Sequence, residues 1–155
     1  MSKRTVWSAC GVILLGLVSS MAMAAPGRTV LVEFQGPGGH SNGNYGRTSA
    51  VHAAARSIIR LQDTDVASGT WWLSGFNGGN SVNSIASDAR FTVHLTATSD
   101  ADYKALVKKI TAAVNAGVSA ENAFRHVDKG DRVDAGARAD IRYTITVRTA
   151  TKHDT

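Results

Sequence analysis

The stretch RTVLVEFQGPGGHSNGNYGRTSAVHAAARSIIRL, residues 28–61, changes its apolar period halfway along. In its first eight residues Val30, Val32 and Phe34 share one side, while Leu31, Glu33 and Gln35 share the other. That period of two describes a half-buried strand. Beyond the glycines, Val51, Ala54, Ala55, Ile58 and Leu61 recur at helical spacing. Between the two lies GPGGHSNGNYG, residues 36–46, a loop that presents His40 among residues free to turn tightly and to approach a ligand closely.

The same alternation of strand and helix continues. QDTDVASG (62–69) breaks the helix, TWWLSGF (70–76) is rich in β-formers, and NGG (77–79) ends it. In ARFTVHLTAT (89–98), Phe91, Val93 and Leu95 point inward. Ser99 and Asp102 have the spacing of a capping box, with Asp in place of Glu. Tyr103, Leu106, Val107, Ile110 and Val114 form the stripe of a second helix, which Gly117 is placed to cap. Residues 118–138 are ambiguous; a short helix over SAENAFRH (119–126) followed by polar turns is expected, since a structureless loop of that length is uncommon. Finally, ADIRYTITVRT (139–149) puts Ile141, Tyr143, Ile145 and Val147 on one face.

The order β-α-β-β-α-β predicts an α+β fold of the ferredoxin-like, split βαβ type. Right-handed crossovers then give a four-stranded antiparallel sheet ordered fourth-first-third-second, with both helices on one face. The start of the first strand should lie beside the end of the last. The second strand is an edge. Trp71 and Trp72 are adjacent on it and must point to opposite faces, so the core can take only one of them. An exposed Trp on an open edge favours association, and the pair is read as a dimer edge.

Composition bounds the rest. Lys3 and Arg4, the apolar run Ala9–Val18 and SSMAMA read as a signal peptide over residues 1–24, cleaved after Ala24. The apolar run is too short for a membrane span, which needs about 20 residues. Residues 25–155 are then one domain, secreted or periplasmic, with no membrane attachment after processing. The one cysteine, Cys10, lies in the signal, so no disulfide, thiol chemistry or thiolate metal ligand is expected in the mature chain. Loss of Lys3 and Arg4 lowers the formal charge from +5 to +3, and no Lys/Arg run marks a nucleic-acid tract.

GPGGHSNGNYG followed by AVHAAAR, and then GGNSVNSIASDARFTVHL (78–95), resembles the dimerisation (lid) domain of co-catalytic zinc peptidases. This is the family of aminoacylase, carboxypeptidase G, succinyl-diaminopimelate desuccinylase and the tripeptide aminopeptidases. The resemblance covers about Arg28 to Ala113. It implies that His40 reaches across a dimer to a partner's zinc site and donates a hydrogen bond to the substrate's developing oxyanion. It also implies that Asn83 holds the substrate's backbone or carboxylate end, with Gly38, Gly39, Gly78 and Gly79 shaping the two loops. There are departures. Ala86 stands where the family usually has Pro, and His94 and Thr96 occupy the places of an Asp-x-Arg whose arginine often grips a carboxylate. His94 is read as part of the helix-free sheet face, and His52 as a partly buried helical histidine.

Zinc in that family belongs to a separate catalytic domain, so no cofactor is expected in this chain. A two-metal site needs several His and carboxylate ligands and a base. The only glutamates are Glu33 and Glu121, and His126-Val127-Asp128 lies in the irregular stretch without further ligands, so it is read as a solvated loop. Three functions are then open. The chain could be a self-associating or protein-binding lid module, not catalytic alone. It could instead supply His40 in trans to a separately encoded zinc-peptidase chain, or be part of such a hydrolase. A nucleic-acid binder of this topology needs exposed aromatics on the first and third strands; Leu31, Glu33, Arg90, Thr92 and His94 stand there instead.

Overall fold

The computed structural model describes residues 27–64, 71–97 and 99–149. The expected signal segment lies outside the described residues. In chain order the elements are β1 (Arg28–Gln35), β2 (Gly39–His40), α1 (Ser41–Asn44), α2 (Ala50–Gln62), β3 (Trp71–Gly78), β4 (Ser84–Ile85), β5 (Asp88–Leu95), α3 (Asp100–Phe124) and β6 (Arg142–Thr149). The main sheet is antiparallel with order β3-β5-β1-β6, which is the order the split βαβ topology predicts. β2 and β4 form a separate two-stranded ladder. Arg28 is paired with Thr149, so the two ends of the domain are neighbours.

Alternation along the strands sorts the sheet into two faces. Val30, Val32, Phe34, Ala89, Phe91, Val93 and Leu95 are buried under α2 and α3, and the Phe34 and Phe91 rings meet with centroids 5.6 Å apart. Thr92, His94 and Arg90 lie on the helix-free face with Glu33. Trp71 packs against the core, whereas Trp72 is 52% exposed and stacks on His94 at 4.8 Å. His94 Nε2 also lies 2.6 Å from Ser74 Oγ. Val147 shares the core side but stays exposed, because β6 is an edge and few residues of α3 reach it.

The second helix corrects the sequence reading. α3 is one helix of 25 residues, and SAENAF is its last part rather than a separate element. The Ser99 cap forms as expected, with Ser99 Oγ accepting the Asp102 N–H at 3.1 Å. Gly117, however, is not the cap. It lies in the helix interior, where α3 packs closely against α2. A Cβ there would collide with the side chain of Ser57, 2.5 Å from its backbone nitrogen and 2.6 Å from its Cα. The end comes at His126, a non-glycine residue at φ 54°. The His126 N–H bonds the Ala123 carbonyl at 3.1 Å and the Val127 N–H bonds the Asn122 carbonyl at 3.0 Å, the two bonds of a Schellman stop. His52 lies on α2 with its side chain 54% exposed.

Gly117→Ala separates helix propensity from packing. In an exposed helix the change gains about 1 kcal/mol. Here the new methyl meets backbone atoms of α2, and overpacking costs about 1–3 kcal/mol in addition to cancelling that gain. Urea melts should show the variant less stable than the parent; a stabilised variant would mean that the helices separate freely.

Candidate functional site

The glycine loop is held from both sides. Gly36 N–H bonds the Ser87 carbonyl at 2.8 Å, and Ala50 N–H bonds the Ala86 carbonyl at 3.0 Å. Gly38 (φ 66°) and Gly39 (φ 134°) adopt backbone angles that L side chains rarely take. They turn the chain so that Gly39–His40 can pair with Ser84–Ile85 across the short ladder. Gly78 ends β3, and Gly79 bonds the Asp88 carbonyl at the opposite end of the turn. The base of the loop is fixed by Thr48, which is fully buried and donates its hydroxyl to the Ala139 carbonyl.

This brings His40 and Asn83 together, from positions 43 residues apart. His40 Nδ1 accepts the Asn42 N–H at 3.2 Å and so caps α1. Its Nε2 lies 3.1 Å from the Asn83 side-chain amide, and Ser41 N–H bonds the Asn83 carbonyl at 2.8 Å. A neutral imidazole that accepts at Nδ1 carries its proton on Nε2. In the structure the amide nitrogen faces Nε2, and the Ser81 hydroxyl donates to the amide oxygen at 2.5 Å. Turning the amide over, which leaves its shape unchanged, would offer its oxygen to Nε2–H. His40 and Asn83 are both exposed, flanked by the fully exposed side chains of Tyr45 and Val82.

Sequence reading missed what supports this pair. Glu121 is fully buried near the end of α3. It accepts the Ser49 N–H at 3.1 Å and Arg56 Nε at 3.0 Å, with Arg125 Nε at 3.4 Å. Arg56 and Arg125 also lie over the Phe124 ring, each 4.9 Å from its centroid. One carboxylate thus ties the start of α2 to α3, directly behind the glycine loop. The only sequence signal was that Glu121 is the one charged residue in ITAAVNAGVSAENAF (110–124), the later part of α3. The stretch from Arg125 to Asp140 is ordered by similar means. Arg138 grips Asp140 with two hydrogen bonds of 2.9 and 2.8 Å, and these hold the Asp140 carboxyl below the usual carboxylate range.

A family model described as the peptidase dimerisation domain matches residues 28–121. The chain belongs to that family. The match spans β1 to β5, the glycine loop and α3 as far as Glu121, and β6 lies beyond it. No curated protein matches the sequence. Among solved structures, the domain is similar to an aminobenzoyl-glutamate utilization protein from Klebsiella pneumoniae, with TM-score 0.59 and 17% identity over 79% of this chain and 28% of that one. It is also similar to aminopeptidase PepT from Bacillus cereus, with TM-score 0.60 and 15% identity over 80% and 29% of the two chains. A hydantoinase/carbamoylase family amidase from Burkholderia ambifaria gives 0.58 and 18% over 82% and 29%. At these identities the likeness is one of fold. The chain spans less than a third of the length of these relatives.

Among the described residues no group of three or more His, Cys, Asp or Glu is placed to hold a metal ion. His126 serves as the stop of α3, and Asp128 N–H bonds Asp131 Oδ2 at 2.8 Å in the turn that follows. The domain therefore offers an exposed imidazole–amide pair, held by a short ladder and a buried carboxylate.

Because His40 is exposed and its two side-chain bonds are at the surface, His40→Ala should cost under about 1 kcal/mol. Val93 is fully buried on a central strand, and Val93→Ala should cost roughly 1–3 kcal/mol. Denaturant melts of both variants check the difference. Equal losses would make the His40 loop a structural element.

Proposed function

We propose that this peptidase dimerisation domain is exported, freed of residues 1–24 and self-associates through β3 and α2, without hydrolytic activity of its own. The observation that carries this reading is the contrast between the two sheet edges. β3 contains no charged residue and half-exposes Trp72 and Phe76. β6, the other edge, carries Arg142 and Arg148. Edge charges oppose pairing of a strand with its own copy, whereas an uncharged apolar edge invites it. Ile59, 55% exposed on α2, adds apolar surface on the helix that crosses from β1 to β3. A two-fold pairing of β3 with its copy would make one continuous sheet.

A second reading is favoured by the exposed His40–Asn83 pair. A lid in this family implies a histidine that donates to a carbonyl oxygen in a partner's zinc site. Nε2–H is the form of His40 that can do so once Asn83 releases it. Donors of that kind contribute about 2.7–4 kcal/mol to a transition state. On this reading zinc resides in a separate catalytic domain, and His40→Ala slows turnover of the assembly without loosening it.

Sedimentation separates association from its absence. The mature chain should be a dimer at micromolar concentration, and Trp72→Lys combined with Phe76→Lys should leave a folded monomer. A parent chain that stays monomeric at every concentration reached would contradict the proposal.

A further inference from the structure

Beside the His40–Asn83 pair, a cleft of about 400 Å³ opens between the turn after α1, the start of α2, the β3–β4 turn and the end of α3. Neither His40 nor Asn83 lines it. Its polar wall includes Arg47, His52 and Arg125, with the Ser84 hydroxyl, and none of its lining residues is acidic. Its apolar wall includes Val51 and Ile85.

The charges around the cleft do not balance internally. Glu121, behind the wall, has two guanidinium partners, Arg56 and Arg125. One positive charge is therefore left over, and Arg125 turns its other nitrogen toward His52 Nδ1, 3.5 Å away. Arg47 bonds a neutral acceptor, the Gly38 carbonyl at 3.3 Å, and makes no ion pair among the described residues. The N–H groups of Ser49, the cap of α2, and of Ala50 are already taken, by Glu121 and by the Ala86 carbonyl, and the charge in the wall is carried by side chains. Partly buried guanidiniums without a matching carboxylate favour an anionic ligand, and their planar forks suit a carboxylate. The aliphatic wall opposite suits a small apolar body, and the volume lies in the range of small-molecule sites.

We propose that this cleft binds a small aliphatic carboxylic acid. Arg47 and Arg125 hold the carboxylate, and Val51 and Ile85 receive the hydrocarbon. The site lies within one chain and does not depend on self-association.

The test titrates three probes into the isotope-labelled full chain: 4-methylpentanoate, its uncharged amide, and inorganic phosphate. Backbone amide shifts of Gly78, Gly79 and Ser84 report occupancy. The acid should saturate with a dissociation constant of about millimolar, as expected for a ligand this small. The amide and phosphate should bind at least about tenfold more weakly, and Arg47→Ala should weaken the acid by a similar factor. Failure of the acid to saturate would overturn the proposal. So would equal binding of the amide, equal binding of phosphate, or a folded Arg47→Ala variant that binds the acid like the parent. If that variant does not fold, the comparison of acid with amide in the parent decides.

Discussion

The unbroken pairing of β1 on both sides is the constraint on which the other elements depend. All eight of its residues are in register with β5 on one side and with β6 on the other. A strand so enclosed fixes the centre of the sheet and pushes β3 and β6 to its edges. Both helices then cover the same face, because each crossover starts and ends within this sheet. The helix-free face and two unequal edges are what remain for interaction. At β3 the pairing with β5 is interrupted by a bulge between Ser74 and Asn77, with Gly75 at φ 62°. Such a bulge sharpens the local twist. It leaves Trp71–Ser74 as the regular part of the open edge.

The glycine loop owes its position to a second constraint. Glu121 joins α3 to the N–H of Ser49, the residue that caps α2, while the Ala86–Ser87 backbone holds the loop from the sheet side. His40 and Asn83 are thus brought within hydrogen-bonding distance by backbone geometry fixed elsewhere. Removing a partner from a buried charge of this type costs about 3–5 kcal/mol. The imidazole and amide at the surface can therefore change with little effect on stability, while the groups behind them cannot. That division is the usual mark of a side chain displayed by a scaffold rather than used to build it.

Periodicity made the main sheet legible. The alternation in residues 28–35 and 89–95 placed six core positions, and the topology followed from element order. The His40 and Asn83 loops were legible through their glycines and the family resemblance, although their direct contact was not. What stayed hidden depended on distant contacts. Gly117 reads as a helix stop by local preference, and only the approach of Ser57 explains a glycine inside a continuous helix. The role of Glu121 shows only when Arg56, 65 residues earlier, is placed beside it. His126 carries no glycine-like signal, yet it takes the left-handed position that ends α3. The cleft lined by Arg47, His52 and Arg125 draws on three separate segments, and no sequence spacing relates them.

Hydrogen exchange along β3 tests the central claim, that the uncharged edge is where this domain meets its own copy. The β3 amides that face away from β5 have no partner strand among the described residues. If two edges pair, those amides of Trp71–Ser74 should exchange slowly at high protein concentration and faster on dilution, while amides facing β5 stay protected throughout. Rapid exchange of the outward amides at every concentration, with a protected β5 side, would contradict the account.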